Sequence, residues 1–192
     1  MSWLASPRAT RISVALLVAL AVAFVATLAS GEGADTDAGR LGGDYPAFYA
    51  AARIAADGDV DEVNDLDRLE AEQADLFPAD EDEGFLTWAY PPHVAVLYRP
   101  LAALPYRASY AVHTALMVAA FVAAVLLARP VIPWLRDATL PAIALGLVSW
   151  PMFRGIGAGQ NTALTLLLLV LAWRASGDGH DGRAGVFLGL LL

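Results

Sequence analysis

The sequence predicts an all-α protein that crosses a membrane several times. Of its 192 residues, 58% are hydrophobic, which exceeds the roughly 45–50% of a typical soluble domain. The apolar residues lie in long runs without charge, whereas most charged residues are concentrated in one block. Charge-free runs of this length are typical of helices that cross a bilayer. The composition therefore excludes an ordinary water-soluble domain.

The charge is divided unevenly along the chain. Residues 31–83 contain 17 acidic residues and three arginines, and the rest contains nine arginines and three aspartates. The two parts carry net charges of −14 and +6, within an overall −8. This distribution argues against nucleic-acid binding, which requires clustered positive charge. The sequence has no cysteine, so disulfides, thiolate metal sites and cysteine nucleophiles are excluded.

Residues 12–30 are the first predicted span. This charge-free run of 19 residues would be about 28 Å long as a helix, which matches the hydrocarbon thickness of a bilayer. Arg8 and Arg11 precede it and acidic residues follow, so the positive-inside rule places the N-terminus in the cytoplasm. A cleavable signal peptide is the alternative, because residues 26–30 offer small side chains near a possible cleavage point.

Residues 31–89 are predicted to form a long extracytoplasmic loop that carries two amphipathic helices. Asp44 is a plausible N-cap of the first helix, Pro46 suits its first turn and Gly58 suits its end. The second helix is predicted from about residue 65 to residue 77. Its apolar stripe, which includes Leu66, indicates a helix that lies along a surface.

The remaining apolar segments are predicted in order along the chain. Four prolines interrupt residues 90–105, which indicates a re-entrant or interfacial segment rather than a full span. Spans are predicted at residues 106–128, 139–153 and 162–173, and residues 184–192 would begin a truncated one. In this arrangement the arginine pairs beside the spans all lie on the cytoplasmic side. We therefore expect the N-terminal part of a longer, multi-pass protein of the cell membrane.

Asp44 is the candidate catalytic residue. It lies between two glycines and a run rich in aromatic residues, near the predicted outer interface. A carboxylate in such a place could act as a general base towards a substrate hydroxyl. The alternative is that Asp44 only caps the helix that follows, and on the local sequence alone that is the simpler interpretation.

Eight further side chains are candidates for substrate binding. Aromatic rings could stack on a sugar, although they also suit an interfacial aromatic belt. Guanidinium groups suit phosphate oxygens, and adjacent amides at membrane depth are costly unless they line a cavity or bond across helices. His93 has no second histidine or carboxylate at a spacing suited to metal ligands, so no metal site is expected. The candidates are Tyr45, Tyr49, Arg53, Tyr90, His93, Arg154, Gln160 and Asn161.

Four ordered motifs together resemble glycosyltransferase family 87 of the GT-C superfamily. The resemblance rests on their order and spacing through residues 42–161. The motifs are Gly43-Asp44 with Phe48-Tyr49 and Ala51-Ala52-Arg53, then Tyr90-Pro91-Pro92, then Pro100-Leu101-Ala102-Ala103-Leu104-Pro105, and finally Gly159-Gln160-Asn161.

The resemblance implies a GT-C-like helical bundle with its active site on the outer face of the membrane. It also implies transfer of a hexose, with mannose as the first candidate, from a polyprenyl-phosphate sugar donor to a lipid or glycan acceptor. Asp44 would deprotonate the acceptor hydroxyl, which attacks the anomeric carbon with inversion while the lipid phosphate departs. Donors of this kind generally need no bound metal in this group, so the resemblance implies no cofactor.

Two alternatives come from other functional classes. A non-catalytic membrane protein that transports or handles lipid-linked sugars would not need Asp44 for chemistry. A membrane-complex subunit that docks through its acidic loop would lose assembly on charge reversal of that loop and would tolerate Asp44→Asn. The position of Asp44 discriminates among these. A catalytic role requires Asp44 to face a groove that is open both to lipid and to the outside, and that role fails if Asp44 points to bulk solvent far from Gln160.

Overall fold

The structure is a computed structural model that describes residues 3–29, 42–76 and 84–191. Ser30, Phe77 and Leu192, at which predicted segments end, lie outside the described residues. The described chain forms helices and contains no strand, which confirms the all-α prediction. The helices are α1 Pro7–Ala29, α2 Tyr45–Asp57, α3 Leu66–Leu76, α4 Pro92–Ala102, α5 Tyr106–Ala128, α6 Pro133–Asp137, α7 Thr139–Val148, α8 Trp150–Gly157, α9 Thr162–Gly177 and α10 Asp181–Gly189, with a 3₁₀ turn at Val60–Glu62.

Two helices are long and apolar enough to cross a membrane. Helices α1 and α5 have 23 residues each, or about 35 Å at 1.5 Å per residue. Among the described residues, a third span is possible if the bent pair α7 and α8 crosses as one unit. The chain is therefore an all-α membrane protein. Helix α1 begins before the predicted span because Pro7, which lacks an N–H, is well suited to a first helical turn.

The segment from residue 139 to residue 153 differs from the single helix that the sequence predicts. Helices α7 and α8 are bent by 64° at Ser149, whose ψ of 140° is extended. The Ser149 hydroxyl donates to the carbonyl of Gly146 at 2.6 Å and so ends α7. Pro151 has no N–H with which to continue α7, but it fits the first turn of a new helix. Helix α8 then continues to Gly157, into a region predicted to be a loop.

The contacts within the chain define two compact units. The first unit contains most of α1, the C-terminal part of α5, and the helices from α6 to α10 apart from one turn. The second unit contains α2, α3, α4, the N-terminal part of α5 and the turn Gly157–Gln160. This turn therefore makes its contacts with residues that are distant in the sequence.

The first unit has an apolar core. The ring of Phe121 packs at Gly146, where an added Cβ would overlap the ring, so the glycine allows α5 and α7 to approach closely. At the C-terminal end of α5, the Arg174 guanidinium of α9 donates to the Leu127 carbonyl at 3.3 Å. The buried core residues are Met117, Ala120, Phe121, Ile143, Leu147, Met152, Ile156 and Ala163.

Helix α2 is the buried centre of the second unit. Ten of its 13 residues are buried, which is more than an amphipathic surface helix would bury. Its alanines are small enough for α4 to pack closely against it, with Ala95 and Tyr98 buried. The left-handed Gly58 (φ 104°) ends the helix as predicted, and its N–H bonds the Ala55 carbonyl.

Helix α3 is attached to α2 by a partly buried ion pair. The side chain of Glu72 is 7% exposed, and its Oε1 lies 2.5 Å from the Nε of Arg53. The second Glu72 oxygen lies 3.6 Å from Arg68. The neighbouring Gln73 is also buried, and its side chain bonds both the N–H and the C=O of Leu86. Leu66, which the sequence assigns to the apolar stripe, is instead 54% exposed.

We expect Glu72→Gln to loosen α3 from α2. The variant keeps the side-chain shape but removes a nearly buried charge that faces two arginines, which costs about 1–3 kcal/mol. The matched control is Asp75→Asn, because Asp75 is 74% exposed and lies 3.7 Å from Arg53; exposed pairs contribute about 0–1 kcal/mol. Hydrogen exchange of the α3 amides in detergent measures the effect. Equal protection in the two variants would contradict this account of the ion pair.

Candidate active site

Asp44 occupies the N-cap position of α2 but does not cap the helix with its side chain. Its backbone is near helical (φ −89°, ψ −11°), and its carboxylate makes no capping hydrogen bond. Instead, Oδ2 of Asp44 accepts a hydrogen bond from Nε2 of Gln160 at 2.5 Å. Asp44 is partly exposed and Gln160 is exposed. The interpretation that Asp44 serves only as a side-chain cap is therefore wrong, and two predicted site residues are in direct contact.

The backbone holds this pair in place. The N–H groups of Asp44 and Tyr45 both donate to the carbonyl of Ala158, at 2.8 Å and 3.1 Å. The hydroxyl of Tyr110 on α5 donates to the carbonyl of Gly157 at 2.8 Å. These bonds bind the Gly157–Gln160 turn to the start of α2 and so fix both ends of the Asp44–Gln160 hydrogen bond.

Two glycines make the close approach possible. Gly159 has a φ of +77°, and a Cβ there would lie 2.5 Å from the Cβ of Tyr45 and 3.2 Å from the Gly42 carbonyl. Gly42 has a φ of +83° and faces the Tyr110 ring, which would lie 2.6 Å from an added Cβ. A side chain at either position would be strained and would also clash. Gly159, directly before Gln160, and Gly42, shortly before Asp44, therefore serve backbone packing.

The tyrosines of α2 are engaged inside the second unit. The hydroxyl of Tyr45 shares a hydrogen bond of 2.6 Å with Ser109, and Tyr45 is fully buried. Burial raises the pKa of the Tyr45 hydroxyl to about 12. The hydroxyl of Tyr49 donates to the Leu104 carbonyl at 2.7 Å. Both side chains were predicted to bind substrate. Instead, Tyr45 holds α2 against α5, and Tyr49 holds it against the segment that leads into α5.

Tyr90, just before α4, interacts with the charge of Asp44. Its ring packs against Phe48 and Trp88, with centroids 5.1 Å and 5.2 Å away. Burial raises the pKa of the Tyr90 hydroxyl, and the negative charge of Asp44 raises it further. Tyr90 is only half-buried. The structure therefore brings together Asp44, Gln160 and Tyr90, three of the residues singled out in the sequence.

For the remaining predicted residues the structure records other contacts or exposure to solvent. Arg53 is engaged with Glu72 and Asp75. His93 is exposed in the first turn of α4. Arg154 and Asn161 belong to the first unit, and the exposed Arg154 guanidinium lies 5.6 Å from the centre of the Trp150 ring. Among the described residues, no group of three histidine, aspartate or glutamate side chains could hold a metal ion.

A comparison with protein families identifies the chain. The family model of glycosyltransferase family 87 matches residues 88–192, which is more than half of the sequence. The chain belongs to glycosyltransferase family 87. This membership confirms the resemblance and makes the protein a membrane glycosyltransferase, with a sugar donor and an acceptor as its substrates. Comparison with curated proteins and with solved structures gives no significant match.

Three buried polar side chains of this glycosyltransferase were missed by the sequence analysis. Trp88, Tyr98 and His113 are each less than 7% exposed. Their atoms Nε1, Oη and Nε2 have no hydrogen-bond partner among the described residues. All three rings lie within 6.2 Å of the Phe48 ring. A histidine inside an apolar helix is the signal that could have revealed His113, because ionisable residues in spans usually have a function.

We expect Gly159→Ala to reduce sugar transfer strongly because the new Cβ would push the turn away from Tyr45. The matched control is Gly179→Ala, since Gly179 also has a positive φ (+75°) but an added Cβ there meets no atom within 4 Å. Initial rates of transfer at equal protein level measure the effect. A rate for Gly159→Ala equal to that of the control would show that the close approach is not needed.

The stability of the protein should fall at alkaline pH in a way that depends on Tyr45. The folded pKa of Tyr45 is about 12, whereas an unfolded tyrosine titrates near 10. The contribution of the neutral Tyr45 hydroxyl to the free energy of unfolding is therefore fully present below a pH of about 10, and it is lost as the pH rises through about 12. Unfolding temperatures of the wild type and of Tyr45→Phe, measured in detergent from pH 8 to pH 11, should converge as the pH rises. Curves that stay parallel would contradict the assignment.

Proposed function

We propose that this family 87 enzyme transfers a hexose from a polyprenyl-phosphate donor to a hydroxyl of a lipid or glycan acceptor, with Asp44 as the general base. Mannose is the first sugar to test. The observation that carries the proposal is the Asp44–Gln160 hydrogen bond of 2.5 Å. It supports a shared site because it joins two of the ordered sequence motifs at an accessible place.

The proposed reaction is a single displacement. Asp44 accepts the proton of the acceptor hydroxyl, and the hydroxyl oxygen forms a bond to the anomeric carbon of the sugar. The bond between that carbon and the phosphate oxygen breaks, and the lipid phosphate leaves with the electron pair. Attack from the face opposite the leaving group inverts the anomeric configuration. A positioned general base typically contributes about 10²–10⁴-fold to such a step.

The surroundings of Asp44 support its selection from a chain with many carboxylates. Glu72 is nearly buried and faces two arginines. Asp57, at the far end of α2, is an exposed partner of Arg68. Asp44 is partly exposed, its charge interacts with Tyr90, and its carboxylate faces an amide rather than a cation. We propose that the half-buried ring of Tyr90 contacts the sugar or the prenyl chain.

We propose that the acceptor and the sugar meet on the outer face of the membrane. Helix α1 is a candidate span, two arginines precede most of it, and the acidic block follows it. The positive-inside rule then favours a cytoplasmic N-terminus and an outer position for α2. His93, exposed on α4, is proposed to bond a substrate hydroxyl or phosphate. Arg53 would have to leave Glu72 before it could bind a phosphate, so it is not proposed to bind the donor.

Asp44→Asn should abolish most sugar transfer, by about 10²–10⁴-fold, because the amide cannot accept the acceptor proton. Membranes that carry the full chain are supplied with labelled polyprenyl-phosphate mannose, and transfer to endogenous lipid or glycan is measured. The matched control is Asp57→Asn, which makes the same change at an exposed position on the same helix and should keep wild-type rates.

Equal transfer by wild type and Asp44→Asn would remove Asp44 from the mechanism. If no variant transfers mannose, other polyprenyl-phosphate sugars are supplied to the same membranes. Failure with every such donor would contradict the proposed donor class and would favour a protein that only handles lipid-linked sugars.

A further inference from the structure

We propose that Gln160 is a positioning residue that orients the Asp44 carboxylate, and that it does not bind the sugar. This inference rests on the proposed function, because it takes Asp44 as the general base. The residue types alone suggest the opposite, since two adjacent amides beside aromatic residues suit sugar hydroxyls. The structure instead directs the amide nitrogen of Gln160 to Oδ2 of Asp44 at 2.5 Å.

The hydrogen bond restricts rotation of the carboxylate. A carboxylate has two oxygens that can accept protons, and rotation about the Cβ–Cγ bond exchanges their positions. With Oδ2 held by Gln160, Oδ1 is the oxygen assigned to receive the acceptor proton. Orientation of a base before the reaction lowers the barrier, and a displacement of about 1 Å can cost about 10²-fold in rate.

Gln160 can act in this way because its backbone is itself fixed. The turn that carries it accepts two N–H bonds at Ala158, from Asp44 and Tyr45, and a hydroxyl bond at Gly157 from Tyr110. The same backbone segment therefore holds both the base and the group that orients it. A residue placed only for sugar binding would not need its backbone to be attached to the backbone of Asp44.

Several titratable groups surround the pair from other elements. Tyr90, which precedes α4, interacts with the charge of Asp44. His113, on α5, contacts the backbone of Gly159 and Gln160, and Tyr110 on the same helix bonds Gly157. These groups are shared by the wild type and by every Gln160 variant. A difference between the pH profiles of the wild type and a Gln160 variant therefore reports the replaced side chain.

The first test replaces Gln160 with methionine, which has a similar length but cannot donate a hydrogen bond. The kcat for transfer from polyprenyl-phosphate mannose should fall by about 10–100-fold, while KM for the donor changes by less than about 3-fold. The opposite result, a normal kcat with a strongly raised donor KM, would show that Gln160 binds the donor and would overturn the inference.

The second test replaces Gln160 with glutamate and follows kcat against pH. Two carboxylates at hydrogen-bond distance share one proton, so the acid limb of the profile should move to higher pH by one unit or more. A purely structural loss would lower the rate at all pH values without moving the limb. The control is Ala56→Glu, which adds the same charge at an exposed position near the far end of α2 and should leave the limb in place.

The outcomes separate this inference from the proposed function. If Asp44→Asn is inactive but Gln160→Met has a normal kcat, or Gln160→Glu keeps the wild-type acid limb, only the positioning role is wrong. If Asp44→Asn is fully active, the proposed base is wrong and the inference falls with it. If Gln160→Glu is folded but inactive at every pH, the inference is judged on Gln160→Met alone. A lowered kcat with a nearly unchanged donor KM would support the positioning role, and a normal kcat would overturn it.

Discussion

The attachment of the Gly157–Gln160 turn to the first residues of α2 is the constraint on which the candidate site depends. The Ala158 carbonyl accepts N–H bonds from the start of α2, and Gln160 bonds Asp44 across a separation of 116 residues. Backbone bonds of this kind require close approach, and Gly159 provides it because it has no Cβ to meet Tyr45. The geometry of Asp44 is therefore set by main-chain contacts as well as by its own side chain.

Buried aromatic rings pack around Tyr45 and Phe48 and hold α2 in place, but some of the polar atoms in this cluster have no hydrogen-bond partner among the described residues. Tyr45 and Tyr49 use their hydroxyls to bond Ser109 and Leu104, whereas Tyr98 and His113 present polar atoms without partners among the described residues. Each such atom costs about 1–3 kcal/mol when buried. Real proteins accept costs of this kind at functional sites, which agrees with a cluster that adjoins the helix beginning after Asp44.

The acidic block has a structural use within the second unit. Arg53 and Arg68 lie between carboxylates of α2, α3 and the 3₁₀ turn, and the nearly buried Glu72 contacts both. The ion pairs of this region therefore attach α3 to α2. Arg53 is engaged within this region rather than free for a lipid phosphate, because the carboxylates of Glu72 and Asp75 lie within 4 Å of it.

Local sequence determined the helices, and tertiary contacts decided the site. Runs of apolar residues predict α1 and α5, Gly58 predicts the end of α2, and ordered motifs predict the family, because each depends on neighbouring residues or on composition. The break at Ser149 also has a local cause in Pro151, although a hydropathy pattern does not register it. The pairing of Asp44 with Gln160, the burial of Tyr45 and the engagement of Arg53 could not be predicted in the same way. They depend on which distant side chains the folded backbone brings within hydrogen-bond distance, and a pattern along one chain does not contain those distances.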